Sequence, residues 1–138
     1  MILVVLAIVA AIVGGNSGRT PGSSPTSSAA PAPPPLSRKE EALRHVEITK
    51  WSWKKGGFDS VMLATFTFKN NNTFAVKDIT VRCTHSAESG TVIDNNTRTI
   101  YERIDAGKKH TVHDFSMGFI HTQASSSNCA ITNVVPAE

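Results

Sequence analysis

The proline-free segment at residues 45–135 falls into short runs in which apolar and polar side chains alternate. In the clearest run, VMLATFTFK at residues 61–69, every second residue is apolar. A period of two places these side chains on one face of a β-strand, whereas a helix would scatter them around its axis. This feature restricts the segment to a fold built from strands. The apolar set of this run is Met62, Ala64, Phe66 and Phe68.

Similar runs recur along the segment, with glycine or asparagine turns between them. Counting the runs predicts about seven strands at intervals of roughly 8 to 14 residues, without a long helix. That spacing is typical of a single antiparallel sandwich or small barrel, and an immunoglobulin-like sandwich is the best interpretation. The predicted strands are VEITKWSW, VMLATFTFK, AVKDITVRCTH, TVID, RTIYERI, HTVHDFSMGF and NCAITNVV, and the turns are KKGGFD, NNN, SAESG, DNNT and DAGKK.

Alternation within these runs also assigns the core. Side chains of the same phase on one strand are expected to point inward together. The inward sets are Ile79, Val81 and Cys83; Ile100 and Ile104; Phe115, Met117 and Phe119; and Cys129 with Ile131.

The chain has two cysteines, Cys83 and Cys129, and both have inward phase on predicted strands. A disulfide between them would close a loop of 46 residues and lower the entropy of the unfolded chain, which corresponds to about 4 kcal/mol. The alternative is a pair of buried free thiols. Because stable disulfides form in oxidising compartments, the bridge is expected if the domain is exported.

The segments before the domain have a different composition. Residues 1–15 carry no charged side chain, and their apolar run of twelve fits the apolar core of a signal peptide better than a complete span of a bilayer core of about 30 Å. A signal peptide or a membrane anchor is expected there. Residues 16–37 hold six of the seven prolines and six serines, which predicts a flexible linker. The domain then occupies residues 38–138, with a short helix at residues 38–44 marked by Ser37 and Glu40 as a capping box.

Charge and motifs exclude several classes of function. From His45 onward ten Lys and Arg residues are interspersed with nine Asp and Glu residues, so no basic face for nucleic acid is expected. The sequence has no motif of a hydrolase, metalloprotease or phosphate-binding loop. His110 and His113 are three apart on a strand and point to opposite faces. No enzyme activity, cofactor or metal site is therefore expected.

One stretch, WSWKKGG, suggests a binding site. With unbroken alternation, its two tryptophans lie on the face opposite to the first apolar residues of the strand. Either a bulge near Lys50 reverses the phase and brings both indoles into the core, or the indoles are exposed. Exposed indoles would form a stacking platform for sugars or for an apolar patch of a partner. The ligand-binding candidates are then Trp51, Trp53, Lys54 and Lys55.

In order along the chain, TFTFKNNNTFAVKDITVRC, SG and IDAGKKHTV form a recognisable pattern. It resembles that of the FxLYD-type bacterial envelope domains over about residues 46–134: a strand ending in Asn, a short loop, a V-K-D-I-T-V strand, a glycine turn and an A-G-K turn. A weaker similarity links the chain to late embryogenesis abundant and WHy-type sandwich domains. The resemblance implies an immunoglobulin-like module, tethered at the cell surface or in the periplasm, without a known catalytic site.

Together these observations predict a non-catalytic β-sandwich that is exported or tethered to the membrane through residues 1–15. Its expected role in the cell envelope is structural or protein-binding, with an unidentified envelope protein or cell-wall component as partner and no nucleic acid. The alternative function is a glycan or small-ligand binding domain that uses exposed tryptophans.

Overall fold

The computed structural model describes residues 29–138, and a compact unit runs from Pro34 to Glu138. Residues 29–37 form neither helix nor strand. The predicted apolar segment at residues 1–15 and most of the predicted linker lie outside the described residues. Within residues 29–138 no helix is both long enough and apolar enough to cross a bilayer. The elements are α1 (Arg38–Arg44), β1 (Val46–Gly56), β2 (Val61–Asn70), β3 (Val76–Ser86), β4 (Val92–Ile104), β5 (Lys109–Phe119) and β6 (Ser126–Pro136).

The six strands form two antiparallel three-stranded sheets, with strand orders β1-β2-β5 and β4-β3-β6. Their inner faces share one core, as in a β-sandwich. Because the strands run up and down, the connections separate into two groups. We call the end that carries loops 71–75 and 105–108 the near end of the domain, and the opposite end, with loops 57–60, 87–91 and 120–125, the far end.

The predicted core is largely confirmed. Alternation is strict along β2 and, after a bulge at Asp78, along β3 from Ile79 onward; the predicted inward set of each strand is fully buried. Ile100 and Ile104 of β4 share the core as expected, and Cys129 and Ile131 of β6 pack against its margin. The largest buried side chains are Met62, Phe66, Phe68, Ile79, Ile100, Ile104 and Met117.

The prediction of seven strands was wrong by one, because TVID and RTIYERI belong to a single strand, β4. The predicted turn DNNT lies inside it, where Asp94, Asn95 and Asn96 pair with consecutive residues of β3. β3 supplies a register partner for every residue of β4 from Asp94 to Ile100, which includes all of DNNT. Because β4 is an edge strand, the polar side chain of Asn95 is exposed there without cost.

The inward assignment of Phe119 was also wrong. Met62 and Leu63 of β2 pair with Gly118 and Ser116, so that Met117 is an extra residue in a β-bulge. A bulge shifts the phase of every residue after it. Phe119 is therefore 80% exposed, while Ile120 is buried. Gly118 has a φ of 99°, a conformation that glycine adopts without a steric penalty.

The asparagine turn after β2 is confirmed, but none of Asn70–Asn72 has a positive φ, so the turn rests on hydrogen bonds and not on left-handed backbone. The buried Asn70 amide nitrogen donates to three carbonyls, of Phe74, Ile104 and Asp105, at 2.9, 3.0 and 3.2 Å. Its carbonyl oxygen accepts from the backbone and side-chain N–H groups of Asn72. One carboxamide thus joins the two loops at the near end.

Helix α1 is confirmed, and it fixes where the chain enters the domain. Ala42 of the helix is buried, and its carbonyl accepts from the Asn72 side chain at 3.2 Å. The Arg38 guanidinium lies over the Phe74 ring, 4.7 Å from its centroid. Both contacts involve loop 71–75, so the chain enters the sandwich at the near end.

The predicted capping box is present at the start of α1. The Ser37 hydroxyl and backbone N–H both donate to the Glu40 carboxylate, at 2.7 and 2.9 Å, and the Glu40 N–H donates back to the hydroxyl at 3.3 Å. The Ser37 side-chain bond, followed by its backbone bond, lowers the pKa of Glu40 below its usual range. Hydrogen bonding to the charged form is the cause.

Lowering the pH is expected to weaken this cap. Because the folded-state pKa is lowered, the stabilisation is complete above the ordinary glutamate pKa and is lost as the pH falls through the lowered value. The protection factors of the α1 amides, which compare their hydrogen exchange with that of an unstructured chain at the same pH, should therefore fall in acid. In Ser37→Ala the Glu40 pKa should return towards its ordinary value. An unchanged Glu40 titration in that variant would contradict the capping assignment.

Candidate functional site

The predicted disulfide joins Cys83 and Cys129, whose Cα atoms are 4.0 Å apart. The two residues are direct register partners on β3 and β6, so the bridge lies within one sheet and does not connect the two sheets. Its close Cα approach resembles that of non-hydrogen-bonded pairs in antiparallel sheets, at about 4.5 Å. Among residues 29–138 no cysteine is free. The covalent link fastens the central strand of the sheet to its edge.

A bulge on β1 determines the position of the tryptophans. Ile48 pairs with Phe68 but Lys50 pairs with Thr67, so Thr49 is the extra residue. The extra residue reverses which face of the strand the following side chains point to. This is the bulge near Lys50 that was one of the two alternatives from the sequence. Trp51 and Trp53 consequently face inward, and both are half-buried against the core. Trp51 stacks on Phe66 with ring centroids 6.2 Å apart and an interplanar angle of 21°.

The four predicted ligand-binding residues are divided between the two faces of β1. Lys54 lies on the outer face, where its ammonium pairs with the Asp114 carboxylate at 2.8 Å. Lys55 lies on the same side as Trp53, and its ammonium donates to the carbonyl of Thr122 at 2.6 Å. The structure therefore brings Trp53 and Lys55 together, and it places Lys54 elsewhere.

Trp53 and Lys55 line an open cleft of about 610 Å³ at the far end of the domain. The cleft is bounded by β1 on one side and by loops 87–91 and 120–125 on the others. A volume of this size is in the range of small-molecule sites. The remaining lining residues are Ala87, Glu88, Ser89, Gln123, Ala124 and Ser125.

His85 supports the Trp53 indole from the core side. The two rings are tilted by 49°, with centroids 6.3 Å apart, and His85 is fully buried. Its Nδ1 is 2.6 Å from the Ser127 hydroxyl, whereas Nε2 has no hydrogen-bond partner among the described residues. Because the imidazole is fixed by Ser127, the indole packed against it has a defined orientation.

Three large apolar side chains are exposed at the far end: Phe58, Val92 and Phe119. We call this group the apolar tip. Two backbone N–H groups hold its strands together: that of Ile120 donates to the Ser60 carbonyl at 2.9 Å, and that of His121 donates to the Asp94 carboxylate at 3.0 Å. Sequence reasoning missed this group. The available signal was an aromatic residue inside the glycine turn GGFDS.

The loop that carries Phe58 has an unfavourable backbone conformation. Gly57, Phe58 and Asp59 are all left-handed, with φ values of 56°, 59° and 61°. This region costs an L-residue such as phenylalanine roughly 1–2 kcal/mol. The Phe58 side chain is fully exposed, so no burial within the domain offsets that cost. Strained residues of this kind are concentrated at functional sites.

In the described part of the chain, the side chains that could bind a metal ion lie apart from one another. Across residues 29–138 no group of three or more His, Cys, Asp or Glu side chains lies close enough to hold one. His110 faces Glu102, with 3.6 Å between Nε2 and the carboxylate.

No protein-family model matches the chain, and neither the curated proteins nor the solved structures contain a significant match. The resemblance to FxLYD-type domains remains a prediction.

Proposed function

We propose that the chain is a non-catalytic module of the cell envelope, exported or held at the membrane through residues 1–15. In this proposal its β-sandwich binds an envelope protein or a cell-wall component at the far end. The partner contacts the apolar tip, and the near end is joined to the rest of the chain.

The observation that carries this proposal is the separation of the two ends. The chain enters at the near end, beside Phe74 and Asn72. Among residues 29–138 five large apolar side chains are exposed, and three of them lie at the opposite end, about 35 Å away along strands of ten to thirteen residues. An exposed apolar group at the end remote from the attachment point is accessible to a partner and is typical of an interaction site.

The strand order supports the finer proposal of an immunoglobulin-like sandwich. In that fold two antiparallel sheets pack face to face, with connections that cross between them. Here β2 leads to β3 and β4 leads to β5 across the two sheets. The disulfide differs from the one common in antibody domains, which bridges the two sheets. It supports export nevertheless, because stable disulfides are characteristic of oxidising compartments.

Site-specific photo-crosslinking tests the proposed contact. The full chain, produced in the organism that encodes it, would carry benzoylphenylalanine in place of Phe58. We expect a covalent adduct with an envelope component after irradiation. Tyr101, 82% exposed on β4 away from the apolar tip, is the matched control position and should give no adduct. Equal labelling at both positions, or no adduct at position 58, would refute the proposal.

Two substitutions separate binding by Phe58 from its effect on stability. Phe58→Asn should stabilise the domain by up to about 1 kcal/mol, because asparagine tolerates the left-handed conformation. Phe58→Val should destabilise it by about 1 kcal/mol, because a β-branched residue tolerates it poorly. Both variants should lose partner binding. Binding is measured by how much of the component identified by photo-crosslinking is recovered with each variant from solubilised envelopes. Retention of binding by either variant would exclude Phe58 as an anchor.

A further inference from the structure

The far-end cleft combines one aromatic surface with several polar groups. Trp53 supplies the aromatic surface, while Glu88 and Gln123 supply a carboxylate and a carboxamide. Neither of these polar side-chain groups makes a hydrogen bond or an ion pair with any residue from 29 to 138. Both are exposed and available to a ligand. The cleft thus offers stacking on one wall and hydrogen bonding on the others.

These groups discriminate between classes of ligand. An apolar peptide side chain would cover Glu88 and Gln123 without satisfying them, and each polar group left unpaired costs free energy. A phosphate would meet the negative charge of Glu88, and the one lysine of the cleft, Lys55, already donates to Thr122. A neutral ligand with many hydroxyl groups satisfies the carboxylate and the carboxamide together.

We propose that this cleft binds one or two sugar units of a glycan, with the apolar face of one ring stacked on Trp53 and its hydroxyl groups bonded to Glu88 and Gln123. A cleft of about 610 Å³ is large enough for such a ligand. None of the three residues of the apolar tip lines this cleft, and the proposed site does not depend on the partner proposed for Phe58.

The surroundings of Trp53 favour binding because they hold the indole in place. His85 packs against it from the core side and is itself fixed by Ser127. Lys55, bonded to the Thr122 carbonyl, ties β1 to the loop that carries Gln123. A ligand therefore meets a wall that is already ordered, which lowers the entropic cost of association.

Tryptophan fluorescence of the full chain tests the proposal. Since the chain has two tryptophans, the variant Trp51→Phe leaves Trp53 as the sole reporter and retains an aromatic ring against Phe66. The probes are glucose, galactose, mannose, N-acetylglucosamine and the β-1,4-linked disaccharides of glucose and N-acetylglucosamine, up to about 20 mM. We expect at least one to change the emission, with a Kd of about 1 mM, which ordinary ligand efficiency gives for one sugar ring.

Variants at the exposed loops connect the signal to the cleft without disturbing the core. Glu88→Ala and Gln123→Ala, each in the Trp51→Phe background, should weaken binding about threefold to tenfold, the range for a lost hydrogen bond. Inorganic phosphate should give no change. The proposal is overturned if no sugar binds below about 20 mM, if neither variant weakens binding, or if Trp53 emission is blue-shifted and insensitive to quencher. Loss of photo-crosslinking at Phe58 with intact sugar binding would refute only the partner proposal.

Discussion

Replacement of both cysteines by alanine is expected to lower the free energy of unfolding by about 4 kcal/mol. The bridge between Cys83 and Cys129 spans 46 residues, a loop that includes all of β4 and β5. Without it, the unfolded chain gains the entropy of that open loop. For a domain of this size the midpoint of thermal unfolding should fall by more than about 15 °C. Chemical and thermal denaturation followed by circular dichroism would measure both changes.

Reductant provides the control for this experiment. It should destabilise the wild-type domain by a similar amount and leave the Cys83→Ala/Cys129→Ala variant unchanged. If the double variant were as stable as the oxidised wild type, register pairing between β3 and β6 alone would hold the sheet. The entropic account of the bridge would then be wrong.

The substitution Asn70→Ala is expected to destabilise the domain by about 3 kcal/mol. The alanine removes the group that donates to three carbonyls, and it also leaves the two N–H groups of Asn72 without their acceptor. Because Asn70 is fully buried, water cannot replace the lost bonds without opening the near end. Urea denaturation of the variant gives the change in free energy directly.

Asn71→Ala is the matched control, one residue away in the same turn. Asn71 is exposed, and its side chain donates only to the Glu47 carboxylate at 3.1 Å. Its removal should cost less than about 0.5 kcal/mol. Equal effects of the two variants would mean that turn conformation, and not the buried carboxamide, stabilises the near end.

How far the sequence predicted the fold depended on the regularity of each strand. β2 alternates without interruption, and β3 does so from Ile79 onward, so the buried faces of these stretches follow directly from the period of two. In β5 the extra residue Met117 reversed the phase, so Phe119 was assigned to the wrong side. A bulge is defined by pairing with a neighbouring strand, and a single run of residues does not contain that information. The same is true of DNNT, whose residues are part of a strand because they pair with β3.

The candidate site was predicted only in part for the same reason. The sequence indicated that a bulge near Lys50 would turn both tryptophans inward, and the structure has that bulge. Trp53 nevertheless borders a cleft, because loops 87–91 and 120–125 meet beside it. These loops are distant from Trp53 in sequence, so only the fold brings their polar groups to the indole.

The position of Phe58 has a mechanical consequence. It follows β1 directly, and the chain enters the domain just before β1. If a partner is held at Phe58 as proposed, tension between it and the rest of the chain would run along this one strand. The eleven residues of β1 already span about 36 Å, and complete extension would add only about a tenth. The load would therefore pass through the domain without separating the sheets. The disulfide lies in the other sheet, off this line of force.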